Sequence, residues 1–154
     1  MATYIQIGST VTVGAGGAAS IDFSSIPSTY TDLLLVISAR SAYAAQYNFC
    51  ALTFNGSATG YSARYISGIG TTVSSSTGYT DKFRIDAPAA SNTASTFGST
   101  QIYIPNYAGS TNKSVSMDWV YESNSTSNNE MQLQAGLWSN TAAITSIKYE
   151  NSWY

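Results

Sequence analysis

Few residues in this chain of 154 can do chemistry: eight Asp and Glu, six Lys and Arg, one Cys and no His. Without imidazole there is no Ser-His or Cys-His nucleophile, and no zinc site that needs a histidine ligand. Asp118 and Glu122 share a strand face, but four residues at about 3.3 Å each set them roughly 13 Å apart. Glycosidase carboxylates sit roughly 5–9.5 Å apart. Asp81 and Asp86 differ by an odd number, so on one strand they face opposite ways. Acids on different strands remain free to meet; the plainer expectation is solvated carboxylates on outward faces. Cys50 alternates in phase with Leu52 and Phe54, as a small buried hydrophobe does, and no cation adjoins it in sequence to favour a thiolate. The run Gly14-Ala15-Gly16-Gly17-Ala18-Ala19 loosely fits a dinucleotide fingerprint, whose glycines must open a helix. Ser20-Ile21-Asp22-Phe23 follows with strand alternation, so the run reads as a loop. No catalytic, cofactor-binding or metal-ligating residue is assigned, no cofactor is expected, and the chain does not read as an enzyme.

The twelve tyrosines and three tryptophans are the ambiguous group. They could stack on sugar, or anchor a core or an interface, because each combines large apolar area with one polar handle. Trp119 is in phase with Val115 and Met117 and reads as core. Trp138 directly follows Leu137 and so faces the other way, and Tyr103 is out of phase with Ile102 and Ile104. Trp153 and Tyr154 end the chain, and Tyr4 lies in the opening segment. These five, Tyr4, Tyr103, Trp138, Trp153 and Tyr154, are the candidate interface residues, with contact between subunits ranked ahead of ligand stacking.

The elements that position them follow from a period of two. Ile5, Ile7, Val11 and Val13 alternate with polar residues and predict an opening strand. Ile21 and Phe23 mark the next. The unbroken run Leu33 to Ile37 reads as a central strand covered on both faces. Cys50, Leu52 and Phe54 lead into an Asn55-Gly56 turn. Strands follow over Tyr61 to Ile66, about Phe83 to Ala87, about Ile102 to Ile104, and Val115 to Tyr121, the last with the clearest inward face. In the next, Met131, Leu133, Ala135 and Leu137 oppose Glu130, Gln132 and Gln134. A closing strand runs from Ile144 to about Glu150. Ser/Thr/Asn/Gly clusters at 70–78, 91–98, 106–112 and 123–129 read as loops. No window shows a sustained helical period. About ten short strands in one domain, residues 1–154, predict an all-β fold, an antiparallel β-sandwich of jelly-roll type.

Composition narrows the partners. A net charge of −2 leaves no basic stripe for nucleic acid. The longest apolar run, Leu33 to Ile37, is far too short to span a bilayer, so no membrane partner is expected. The opening MATYIQIGST lacks the basic-then-apolar pattern of a secretory signal. The Asn-x-Ser/Thr sites at Asn55, Asn112 and Asn124 therefore read as loops.

Three segments have a familiar wording. Ile21-Asp22-Phe23-Ser24-Ser25-Ile26-Pro27-Ser28-Thr29-Tyr30-Thr31-Asp32-Leu33 carries F-x-x-I-P-x-x-Y-x-D-L into a strand. Leu52-Thr53-Phe54-Asn55-Gly56 carries a T-F-N-G turn. Ala142-Ala143-Ile144-Thr145-Ser146-Ile147 carries a closing A-A-I-T-S-I strand. In this order, over nearly the whole chain, they resemble small β-sandwich virion structural proteins of tailed bacteriophages. The resemblance implies a virion location, on the outer surface of the capsid as a cement or decoration protein. It implies self-association, with a homotrimer expected, and binding to the major capsid protein or other virion proteins. The alternative is a tail-fibre or spike module recognising host glycan through its aromatic side chains. It implies no catalytic residues.

Overall fold

The computed structural model describes residues 3–124 and 129–152. Ten strands form two antiparallel sheets: β1 (Ser20–Phe23), β2 (Leu33–Ala39), β3 (Tyr47–Phe54), β4 (Tyr61–Ile69), β5 (Thr72–Thr77), β6 (Phe83–Pro88), β7 (Gly98–Ile104), β8 (Lys113–Tyr121), β9 (Glu130–Trp138) and β10 (Ile147–Asn151). One sheet has the order β1-β10-β3-β6; the other has the order β2-β7-β8-β9-β4-β5. The chain passes back and forth between the layers, which is jelly-roll wrapping, with the β7-β8-β9 meander widening one layer to six strands. The fold is the antiparallel sandwich that the alternation predicts.

Inward side chains close the core. Leu52, Phe54, Phe83, Ile85, Ile102, Ile104, Met117 and Trp119 are fully buried, and Cys50 is buried beside them. At its centre Phe54, Tyr61, Phe83 and Trp138 form a cluster of edge-on and stacked rings, with centroids between 5.0 Å (Tyr61–Phe83) and 6.2 Å (Tyr61–Trp138).

The segments 21–33, 52–56 and 142–147 meet at one end of the sandwich. Asn55 and Gly56 both adopt positive φ, 51° and 66°, as the two central positions of a type I′ turn demand, and the Ser57 N–H closes it on the Phe54 carbonyl at 2.9 Å. The Asn55 side chain then latches residues 143–146: Nδ2 donates to the Ala143 carbonyl, and Oδ1 accepts the N–H groups of Thr145 and Ser146. Ile26 donates its N–H to the Thr145 carbonyl at 3.0 Å. Tyr107 donates its hydroxyl to the Pro27 carbonyl and accepts the Ile144 N–H on its own carbonyl.

Four expectations are corrected. Residues 3–13 pair with no strand among the described residues and lie exposed, because alternation without a partner edge makes no ladder. Leu33 to Ile37 is not a central strand: β2 is an edge, and its outward Leu34 and Val36 are open to solvent. Residues 72–77, read as loop, form the edge strand β5 through a tight turn at Gly70, φ 56°. The fourth is the phase of β9.

Candidate functional site on the outer face of the six-stranded sheet

In β9 the polar residues point in and the apolar ones point out. Glu130, Gln132 and Gln134 are buried, whereas Met131 is 64% and Leu133 54% exposed. The cause lies at the strand's C-terminal end. Trp138 belongs to the central ring cluster, and Gly136 faces the same way because Phe83 packs on its backbone: a Cβ there would fall 2.6 Å from Phe83 Cε1 and 2.9 Å from Met117 Cε. With the phase set by one tryptophan and one glycine, a strict period of two turns 134, 132 and 130 inward as well. The buried amides partly satisfy one another, Gln132 Nε2 donating to Gln134 Oε1 at 3.2 Å. Trp138 is therefore core, not interface: it does face away from Leu137, but its face is the inward one.

The consequence is an apolar outer surface. Register places outward residues of neighbouring strands in rows across the sheet: Val120, Met131, Gly68 and Val73 in one, Asp118, Leu133, Ile66 and Ser75 in the next, Ser116, Ala135, Arg64 and Thr77 in a third. Ile66, Val73, Val120, Met131 and Leu133 thus form a continuous exposed patch. A shallow depression of about 530 Å³ lies beside it, walled by Arg64, Ile66, Thr77, Leu133 and Ala135. None of these residues stood among the sequence candidates. The legible signal was Trp138, whose bulk outweighs Met131 and Leu133 in deciding which face goes inside.

The other candidates fall elsewhere. Tyr103 is on the same outer face, on β7 beside the patch's β8, and its hydroxyl donates to Asp32 Oδ2 at 2.7 Å. Asp32 Oδ1 also accepts the Asn106 N–H; this bond first, then Tyr103, holds the carboxyl below its usual range. Tyr103 is a latch between β7 and the start of β2. Tyr4, in the exposed segment 3–13, lies near enough to help raise the Tyr103 phenol. Trp153 and Tyr154 lie outside the described residues.

The interior holds two further features. Between the β1 and β2 edges an apolar cavity of about 1060 Å³ opens, lined by Ile21, Phe23, Leu35, Ile37, Cys50 and Tyr149 and walled on one side by residues 9–19. The Cys50 thiol beside it is pushed up to about 11, chiefly by burial, so it is a packing group. The second is a pair of acids from different strands and different sheets, which overturns the expectation of solvated carboxylates at these positions. Asp86 takes a two-pronged bond from Arg84, at 2.7 and 2.6 Å, and lies close enough to Glu130 for the two acids to influence each other; Glu130 Oε2 accepts the Tyr121 hydroxyl at 3.4 Å. The Arg84 guanidinium also covers the Phe49 ring at 3.2 Å. Burial pushes Asp86 up to about 7 despite Arg84, and raises Glu130 too, so the pair can hold a proton near neutrality. Neither carboxyl lines the cavity or the depression. Among the described residues no group of three or more Cys, Asp or Glu side chains could hold a metal ion, and no helix is long and apolar enough to cross a membrane.

No family model matches the chain, and no curated protein or solved structure matches it.

Proposed function

We propose that this chain is a structural protein of a tailed-phage virion, a cement or decoration protein that packs against sister copies and the outer capsid surface. The observation that carries the reading is the inside-out strand β9, which buries Glu130, Gln132 and Gln134 while leaving Met131 and Leu133 in water. Exposed apolar patches toward the upper end of what monomers leave bare are often functional. The resemblance of three segments to phage virion proteins supplies the setting. Many copies on a lattice turn modest individual contacts into firm attachment.

The test is a mass-spectrometric copy count on purified particles, with the position fixed by particle imaging. On the order of hundreds of copies per particle on the capsid exterior is the expected result, as lattice avidity requires. A handful of copies at the tail replaces this reading with the fibre module, and absence from particles ends both.

A further inference from the structure

We propose that the outer face of the six-stranded sheet seats a second copy of this chain, paired about a two-fold axis that crosses β9 between Leu133 and Ala135. The inference rests on the reading of the chain as a self-associating structural protein, and it names the partner at that face.

Area comes first. At their observed exposures Ile66, Val73, Val120, Met131 and Leu133 present roughly 500 Å², toward the upper end of what monomers leave bare and well over half of the ~800 Å² per partner of a standard interface. Charge then selects the occupant. Among the outward positions of the six strands, Arg64 and Asp118 are the charged residues, and neither joins an ion pair among the described residues; Arg64 Nη1 donates only to the adjacent Ala63 carbonyl. Two strand spacings and one residue pair separate them, roughly 12 Å along the sheet. A two-fold contact is self-complementary, so each interaction occurs twice. An axis lying in the interface and bisecting the line from Arg64 to Asp118 passes over β9 between Leu133 and Ala135. It lays Arg64 of each copy over Asp118 of the other. Sheets packed face to face lie about 10 Å apart, a gap that an arginine and an aspartate together can bridge. The same rotation brings Met131 and Leu133 near the depression walled by Arg64, Ile66 and Ala135. One positive and one negative charge flanking an apolar centre suit a copy of the same surface; another protein would have no reason to match that symmetry.

The experiment is a charge-swap cycle, R64D, D118R and R64D/D118R, followed by sedimentation velocity across a concentration series. Thermal melts confirm that each variant is folded. A wild-type dimer is expected, each single variant weakening its dissociation constant at least tenfold and the double variant returning to within about threefold. A second measurement is L133C treated with a short bismaleimide, which should link two copies across the axis while buried Cys50 stays unmodified. A monomeric or trimeric wild type, or a double variant that fails to recover, overturns the inference. If the wild type is monomeric and the single variants lose particle binding, the face docks on another virion protein: the pairing falls and the functional reading stands. If pairing and rescue appear but particles lack the protein, the functional reading falls and the pairing stands.

Discussion

Asn55 and Thr145, 90 residues apart in sequence, are joined through the Asn55 Oδ1, which accepts the Thr145 N–H at 2.8 Å and, from the next residue, the Ser146 N–H at 3.1 Å. One side chain ties the β3–β4 turn to the stretch that leads into β10. It also sits at φ 51°, where asparagine is tolerated and most residues are strained.

Two substitutions separate these roles. N55G keeps the turn's backbone freedom and loses the latch; it should cost about 1–2 kcal/mol, since the freed groups are near water. N55A loses the latch and adds left-handed strain, for about 1–2 kcal/mol more. Urea midpoints would show the order wild type, N55G, N55A. Equal losses for the two variants would remove the strain argument, and no loss for either would remove the latch.

The inverted phase of β9 makes its own demand. If Trp138 and Gly136 set it, W138A should cost about 3–5 kcal/mol, as loss of a buried aromatic does. G136A should cost about 1–3 kcal/mol by forcing a methyl into Phe83 and Met117. At concentrations low enough to keep the chain monomeric, removing exposed Leu133 as L133A should change stability by less than about 0.5 kcal/mol. Denaturant unfolding checks all three, and a costly L133A beside a neutral W138A would reverse the assignment.

These cases show how much was legible in the sequence. In β8, Val115, Met117, Trp119 and Tyr121 all fall in one phase, so pattern and packing agree and the strand reads correctly. In β9 the count of apolar residues favours Met131, Leu133, Ala135 and Leu137, while packing follows the largest ring and the one glycine that admits Phe83. In residues 72–77, Thr-Val-Ser-Ser-Ser-Thr has no apolar period, because β5 is exposed at every position; only its ladder with β4 makes it a strand. Residues 3–13 have the period but no ladder. The exposed apolar face was illegible for a related reason: it gathers one or two residues each from β4, β5, β8 and β9, and sheet order is not written in alternation. Asp86 and Glu130 are likewise brought together only by the stacking of the two sheets.

That acid pair predicts a pH dependence. An unfolded Asp gives up its proton near 3.8, whereas folded Asp86 keeps it until about pH 7. Its folded value is raised, so its favourable contribution is complete below pH 3.8 and is lost as pH rises through about 7. Glu130 is raised as well and acts in the same direction. Between pH 4 and 7 the pair should therefore lower stability by roughly 2–4 kcal/mol, since one unit is worth about 1.4 kcal/mol. E130Q removes one of the two acids and the raising effect it has on Asp86, so the decline should flatten; D86N/E130Q should abolish the pair's share. Urea unfolding at several pH values measures it. A wild-type slope that E130Q leaves unchanged would mean that Glu130 neither contributes to the decline nor raises Asp86.

The segment ahead of β1 offers the cleanest separation of folding from assembly. Residues 3–7 are exposed and join no ladder, so they add little burial to hold the fold. Yet Tyr4, Ile5 and Ile7 put apolar area into water on an uncharged stretch of high β-propensity, the composition that pairs readily with a neighbour's open edge. Deleting residues 1–7 should leave the unfolding midpoint unchanged and weaken attachment to particles. The deletion stops short of residues 9–19, which wall the cavity between β1 and β2, so it does not open the core. Thermal melts and a particle-binding assay on the same truncated protein decide it. A large drop in the melt would make this segment part of the folded body, and unchanged binding with an unchanged melt would leave the sheet face to carry assembly alone.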